Sequence, residues 1–164
     1  MKPREMIINY MDFLNSIHID YAYFNFGLIC LGFEFLGKCL SEDFSSKKGD
    51  GGDFFKKAIN ILPNHKYKPV IDKYKIYKSM RNGLLHSLKP TGTVWLRTNS
   101  TLESGNFHLS VRKIKNEFRV VLVFEDFLKD FNTACSLVIK MIDNDTIKNK
   151  SIHKEFILTS YVIP

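Results

Sequence analysis

The sequence lacks most of the devices that fix a small protein covalently or through metal. Its three cysteines, Cys30, Cys39 and Cys135, are scattered, form no CxxC pair and have no paired histidines beside them, so neither a disulfide framework nor a zinc site is indicated. A reducing, cytoplasmic setting without metal or cofactor is the expectation that follows. Asp50 and Asp53 do not continue into calcium-loop spacing, and "GDGG" lacks the lysine, the hydroxyl residue and the preceding strand of a phosphate-binding loop. The start, "MKPREMIINYMDFLNS", has neither the sustained apolar core nor the small-residue cleavage site of a signal peptide. The most apolar run, "YAYFNFGLICLGFEFLG", is punctuated by Asn25 and Glu34 and followed by Lys38, which leaves it short of the roughly 20 residues that cross a membrane. A helix apolar on nearly every face belongs at the centre of a bundle or in a dimer, with an exposed partner-binding helix as the alternative.

What the sequence does have is a core and a localised charge. With 164 residues, 45 % of them hydrophobic and 13 % aromatic, one domain spanning 1–164 is expected. The formal charge is +7, and between Phe54 and Thr91 nine basic residues stand against a single acid, Asp72, so the rest of the chain is nearly neutral. Such concentration is the footprint of a surface that meets phosphate, although lysines on a helix also serve as solvated spacers.

Periodicity predicts helix over 3–16, a long helix over 20–43 capped by Asp20, and a short one over 54–62 capped by Asp53 and ended by Pro63 and Asn64. The linker "SSKKGDGGD" between the last two reads as irregular. Pro69 suits a first helical position, so a fourth helix is expected over 69–88, stopped by "KPTG". The period then changes. "TVWLRTN", "NFHLSVRKI" and "EFRVVLVF" alternate or are rich in branched and aromatic residues, which predicts a small antiparallel hairpin or meander over about 93–124 with a turn at Lys115 and Asn116. Phe107, Leu109 and Val111 would point one way and His108, Ser110 and Arg112 the other. Leu128, Phe131, Cys135, Val138 and Ile142 restore a helical period after Phe124, with Glu125 and Asp126 complementing the dipole of that last helix. The tail over 150–164 reads equally as a short helix or extended chain. The fold class is therefore mainly α, a helical core over about 3–90 and 125–160 with a β insertion.

One stretch, "YKSMRNGLLHSLKP", places unusual chemistry on a packing helix. Val70, Tyr74, Tyr77, Leu84 and Leu88 would form its apolar stripe, and Arg81 falls within it. A guanidinium left there unpaired costs several kcal/mol, so Arg81 must face a carboxylate, a carbonyl cluster, a cleft or another subunit, or else snorkel out past the tyrosines. Asn82 and His86 stand four apart, in a polar row with Lys75 and Ser79. Gly83 between them allows close approach of another backbone. Cleavage of RNA without metal needs a base for the 2′-hydroxyl proton, an acid for the leaving oxygen and a cation for the charge on phosphorus. Histidine can do either proton task, arginine can hold the phosphate bidentately, and asparagine can orient the phosphate or the imidazole.

"RNGLLH" resembles the motif of the HEPN superfamily (higher eukaryotes and prokaryotes nucleotide-binding), whose ribonuclease members carry an arginine, often a polar residue directly after it, and a histidine after a gap of four to six residues. Arg81, Asn82 and His86 occupy those places, and the similarity covers about residues 20–90. The resemblance implies a HEPN-like helical bundle, a homodimer that brings two motifs to one cleft, and metal-independent endoribonuclease activity. It also implies a toxin–antitoxin, phage-defence or mobile-element setting with a separate antitoxin or defence partner. Lys75, Lys78 and Lys89 would then contact the RNA backbone. Many family members have lost catalysis, so an inactive dimeric binding or regulatory module is the second reading. The segment over 93–124 departs from the minimal helical core. His18, His65, His108 and His153 show no partner pattern and read as surface or turn residues, while Trp95, beside Arg97, reads as core before it reads as a stacking platform for bases.

Overall fold

α1 (Pro3–Ser16), α2 (Ala22–Cys39), α3 (Gly51–Asn60) and α4 (Ile76–Ser87) precede three strands, β1 (Val94–Arg97), β2 (Val111–Ile114) and β3 (Glu117–Val123), and α5 (Phe124–Asp143) follows them. The computed structural model describes residues 1–17, 22–44, 51–87, 92–101 and 103–156, without the side chains of Ala22, Asn82 and residues 84–87. The protein is mainly α with one small sheet, as the periodicity predicts.

α1 begins where Pro3 needs no hydrogen-bond partner, and the N–H of Lys2 donates to the Glu5 carboxylate at 3.0 Å. Arg4 grips Asp143 through two nitrogens, at 2.7 and 3.1 Å, and so ties the start of α1 to the end of α5. α2 is the central helix, packed against α1, α3, α4 and α5. Its Phe26, Ile29, Cys30, Phe33, Leu36 and Cys39 are buried, and the Phe33 ring meets those of Phe55, Phe127 and Phe131 at 5.3 to 5.7 Å. Burial pushes all three cysteine thiols up, that of Cys39 to about 12, which leaves them protonated and unreactive at neutral pH. Among the described residues no helix is long and apolar enough to cross a membrane.

Several boundaries differ from the sequence reading. Asp20 lies outside the described residues, and α2 ends at Cys39, four residues before the expected end. Asp53 sits in the first turn of α3 and does not cap it, because the helix already begins at Gly51. The helix expected from Pro69 begins only at Ile76, and residues 66–75 form a succession of turns. Lys75 adopts a left-handed backbone (φ 47°), and the Thr93 hydroxyl takes the Tyr74 carbonyl that a continuous helix would have used. The far end of α4 lies at Ser87, with Leu88 outside the described residues. Over 150–156 the tail is turn and irregular chain.

The sheet is mixed, with order β1-β3-β2. β2 and β3 form the antiparallel hairpin turning at Lys115 and Asn116, but β1 runs parallel to β3, from Val94 beside Val120 to Arg97 beside Val123. A plain meander is thus ruled out: the chain leaves β1, crosses the end of β3 and returns on its other side. The alternation expected over 107–112 is also broken, since Leu109 packs against the core together with His108 and Ser110, and Arg112 is exposed together with Phe107 and Val111. His108 has a side chain only 8 % exposed and Ser110 is buried, whereas Phe107 is 65 % exposed. The cause is Leu109, whose left-handed backbone (φ 66°) puts a kink where an uninterrupted strand was expected. Trp95 lies only half-buried on the face opposite Val94 and Leu96, with the Arg97 guanidinium 3.7 Å from its ring, so it belongs to neither the core nor a bare stacking surface.

α2 and α3 approach closely at Gly37, where a Cβ would lie 1.9 Å from the carbonyl oxygen of Phe54. Backbone cannot yield as a side chain can. Gly37→Ala should lower stability by about 3 kcal/mol, read as a lower urea midpoint with the slope unchanged.

Candidate functional site

The buried stripe of α4 runs through Ile76, Met80 and Gly83, with Ser79 beside it. Arg81 therefore borders the stripe expected to contain it, one helical turn after Tyr77, and both face α2. Opposite them stands Glu34, whose side chain is 16 % exposed. The Tyr77 hydroxyl donates to Glu34 Oε2 at 2.9 Å, and Arg81 Nε lies 4.0 Å from the same oxygen. Lys38, one turn along α2, lies 3.6 Å from Oε1. The first residue of α3 closes the group. A Cβ on Gly51 would meet the Tyr77 hydroxyl at 2.2 Å and the Glu34 carboxyl carbon at 3.2 Å, so only glycine lets the start of α3 come this near. Glu34 thus sits among two cations, a hydroxyl donor and the positive end of a helix. Burial first, and then the hydrogen bond to Glu34, hold the Tyr77 phenol well above its ordinary range, so it remains a donor.

Arg81 is not fully engaged by this arrangement. Its side chain is 41 % exposed, and its Nε is enclosed without a hydrogen bond, because 4.0 Å is an ion-pair distance and not a hydrogen-bond one. The backbones of Asn82 and His86 lie on the same helix, one and five residues on, but their side chains lie outside those described. Lys75 is exposed just before α4, and Lys78 is exposed one turn before Asn82. Lys89 lies outside the described residues. The row of Lys75, Ser79, Asn82 and His86 is not polar surface throughout, since Ser79 is buried and Lys75 stands off the helix axis in its left-handed turn.

The basic segment is also partly neutralised within the fold. Lys56 reaches Asp72 at 2.6 Å, Lys66 binds Asp130 on α5, and Arg81 faces Glu34. Among the described residues, exposed positive charge near α4 is carried by Lys73, Lys75 and Lys78 together with the outer part of Arg81.

A second constellation goes beyond the residues singled out in the sequence. His108 is a turn residue, as expected, but its imidazole is buried. Nδ1 accepts the N–H of Val123 at 3.0 Å, standing in for the strand carbonyl that the kink at Leu109 removes from the end of β3. Nε2 therefore carries the proton in the neutral ring, 2.8 Å from the Tyr67 hydroxyl. Tyr67 in turn donates to Asp130 Oδ2 at 2.6 Å, and Lys66 holds Oδ1. The signal for it was Asp130 itself, a carboxylate three residues after Phe127 and four before Ala134, on the buried face of α5. His65 is an exposed turn residue, and His153 is exposed 3.4 Å from Asp145. Every polar atom of the Tyr67–His108–Asp130 chain that points inward has a partner, so its office is to lock α5, the 66–75 turns and the edge of β3 together.

Comparison of the chain with family models, with curated proteins and with solved structures finds no match. Among the described residues no group of histidine, cysteine, aspartate and glutamate is placed to hold a metal ion.

Burial alone would push the Asp130 carboxyl up, but the His108 imidazole 3.4 Å away and the hydrogen bonds from Lys66 and Tyr67 outweigh it and hold it below its usual 3.8. A folded value below the unfolded one stabilises the protein above the ordinary carboxylate range, and that gain is lost as pH falls through the folded value. Asp130→Asn should therefore cost about 2 kcal/mol at neutral pH. Urea titrations of both proteins should show the gap closing below about pH 4.

Proposed function

We propose that this protein is a metal-independent endoribonuclease of HEPN type that works as a homodimer, with Arg81, Asn82 and His86 as its catalytic residues. The observation that carries the reading is Arg81: half-exposed, its Nε without a hydrogen bond, held short of Glu34, and on one short helix with Asn82 and His86. A guanidinium pre-positioned by one loose ion pair, with its outer nitrogens toward solvent, suits a phosphate better than a purely structural arginine would. In the proposed reaction His86 takes the 2′-hydroxyl proton or delivers one to the departing 5′-oxygen. The 2′-oxygen bonds to phosphorus as the bond to the 5′-oxygen breaks, and Arg81 balances the charge that gathers on the phosphoryl oxygens. Asn82 orients the phosphate or the imidazole. Lys75, Lys78 and Lys89 would follow the RNA backbone. A toxin–antitoxin, phage-defence or mobile-element role with a separate partner chain belongs to the same reading.

A second reading, an inactive HEPN-like dimeric binding or regulatory module, draws on Glu34. That carboxylate is fixed by Tyr77 and Lys38 and already offers Arg81 a partner inside the fold.

End-labelled RNA incubated with the protein in EDTA separates the two. The ribonuclease reading expects cleavage leaving 2′,3′-cyclic phosphate ends, lowered by about 100-fold or more in His86→Ala and in Arg81→Ala. Cleavage that survives both substitutions, or its absence alongside retained binding of the same RNA, would leave the module reading in place.

A further inference from the structure

One face of the small sheet is turned away from the helical core. Val94, Leu96, Val120 and Leu122 belong to that core, so the strand register places Trp95, Arg97, Arg112 and Arg119 together on the opposite face. Val121 and Val123 share this face but are buried, whereas Trp95, Arg97 and Arg119 are half-buried and Arg112 is exposed. The ring and the three guanidinium groups are therefore what solvent meets there.

These arginines are positioned more than they are neutralised. The Arg97 guanidinium is held 3.7 Å from the centre of the Trp95 ring, and its Nη1 donates to the Leu96 carbonyl at 3.1 Å. Arg112 donates through Nη2 to the Gly105 carbonyl. Among the described residues, only Arg119 of the three has a carboxylate partner, Glu117 at 2.9 Å, and its Nε is enclosed without a hydrogen bond. Arg112 and Arg119 stand directly opposite each other across β2 and β3, where like charges repel. Glu117 is the one acid in the three strands. Protecting the β2 edge from pairing with another chain does not require the opposed arginines, because Lys113 and Lys115 already do so. The sheet thus carries a repulsion that a bound polyanion would remove.

We propose that this face binds the phosphate backbone of single-stranded RNA, with Trp95 holding Arg97 in place and Arg97, Arg112 and Arg119 meeting successive phosphates. Charge complementarity and spacing carry the assignment. Arg97 pairs with Val123, and Arg119 lies four residues back along the same strand, roughly 13 Å away at the backbone. Such a row is longer than one phosphate and suits a chain of them. The planar fork of arginine matches a phosphate bidentately. The choice of RNA as the chain of phosphates rests on the ribonuclease reading, while the anionic character of the occupant does not.

Trp95 is the only tryptophan of the chain, so its emission reports this face directly. The full-length protein is titrated at low salt with a 2′-O-methyl oligouridine of about 12 nucleotides, and a fluorescein-labelled copy reports total binding by anisotropy. The methyl group blocks attack by the 2′-oxygen, so cleavage does not enter the result. Trp95 emission should change in step with binding, and salt should weaken both. Arg112→Gln, at an exposed position, should weaken binding about 3-fold, and Arg112→Gln with Arg119→Gln about 10-fold, without lowering the urea midpoint. Binding that leaves Trp95 emission unchanged, or that is equal in the double variant, places the RNA elsewhere and overturns the proposal while leaving the ribonuclease reading intact. Absence of binding overturns it too. So does equally tight binding of an oligoglutamate of the same charge, which would assign the face to an acidic protein segment.

Discussion

The burial of α2 is the constraint on which the rest of the structure depends. A helix carrying Phe26, Ile29, Phe33, Leu36 and two cysteines inside must be enclosed, and α1, α3, α4 and α5 are the enclosure. The enclosure is tight because α2 carries glycines at its contacts. Gly32 leaves room for the rings of Phe131 and Tyr10, and Gly37 lets the backbone of α3 approach. The aromatic rings of α5 and α3 then meet at Phe33, in edge and tilted contacts that fill the centre of the core.

The same helix brings a carboxylate in with it. Glu34 lies one residue from Phe33 and is drawn toward α4, where it has to be met by donors. Tyr77 meets it fully and Arg81 in part, so the conformation of the motif arginine follows from the packing of α2. Asp130 repeats the logic on α5, with Tyr67 and Lys66 as its donors and His108 bonded to Tyr67 beside it. The two carboxylates differ in how completely they are satisfied. Asp130 ends a closed chain of hydrogen bonds, while Glu34 leaves a neighbouring guanidinium half in solvent, and that difference separates a structural lock from a candidate site.

Much of the architecture was legible because it follows from local rules. α1 was placed to the residue by Pro3 and the apolar period, α5 at its start by the acids after Phe124, and the hairpin by its turn at Lys115 and Asn116. α4 was misjudged at its start. Pro69 is compatible with a helix, but the Thr93 hydroxyl, eighteen residues beyond Lys75, takes the Tyr74 carbonyl and helps end any continuous helix there. The parallel pairing of β1 with β3 was equally out of reach, since a strand's side-chain alternation is the same whichever way its neighbour runs. For the candidate site, the sequence placed Arg81, Asn82 and His86 on one helix but could not name Glu34 as the partner of Arg81.

By itself, then, the sequence determined a mainly helical chain, a buried central helix, a basic middle segment and an arginine too close to a core stripe to stand alone. These follow from composition, period and desolvation, which act on each residue where it stands. Tertiary structure alone decided that the partner is Glu34, that Lys56 pairs with Asp72 at the surface and Lys66 with the buried Asp130, and that His108 is buried. Each of those is a contact between residues far apart in the chain, and which distant residues meet is settled only when the whole core packs.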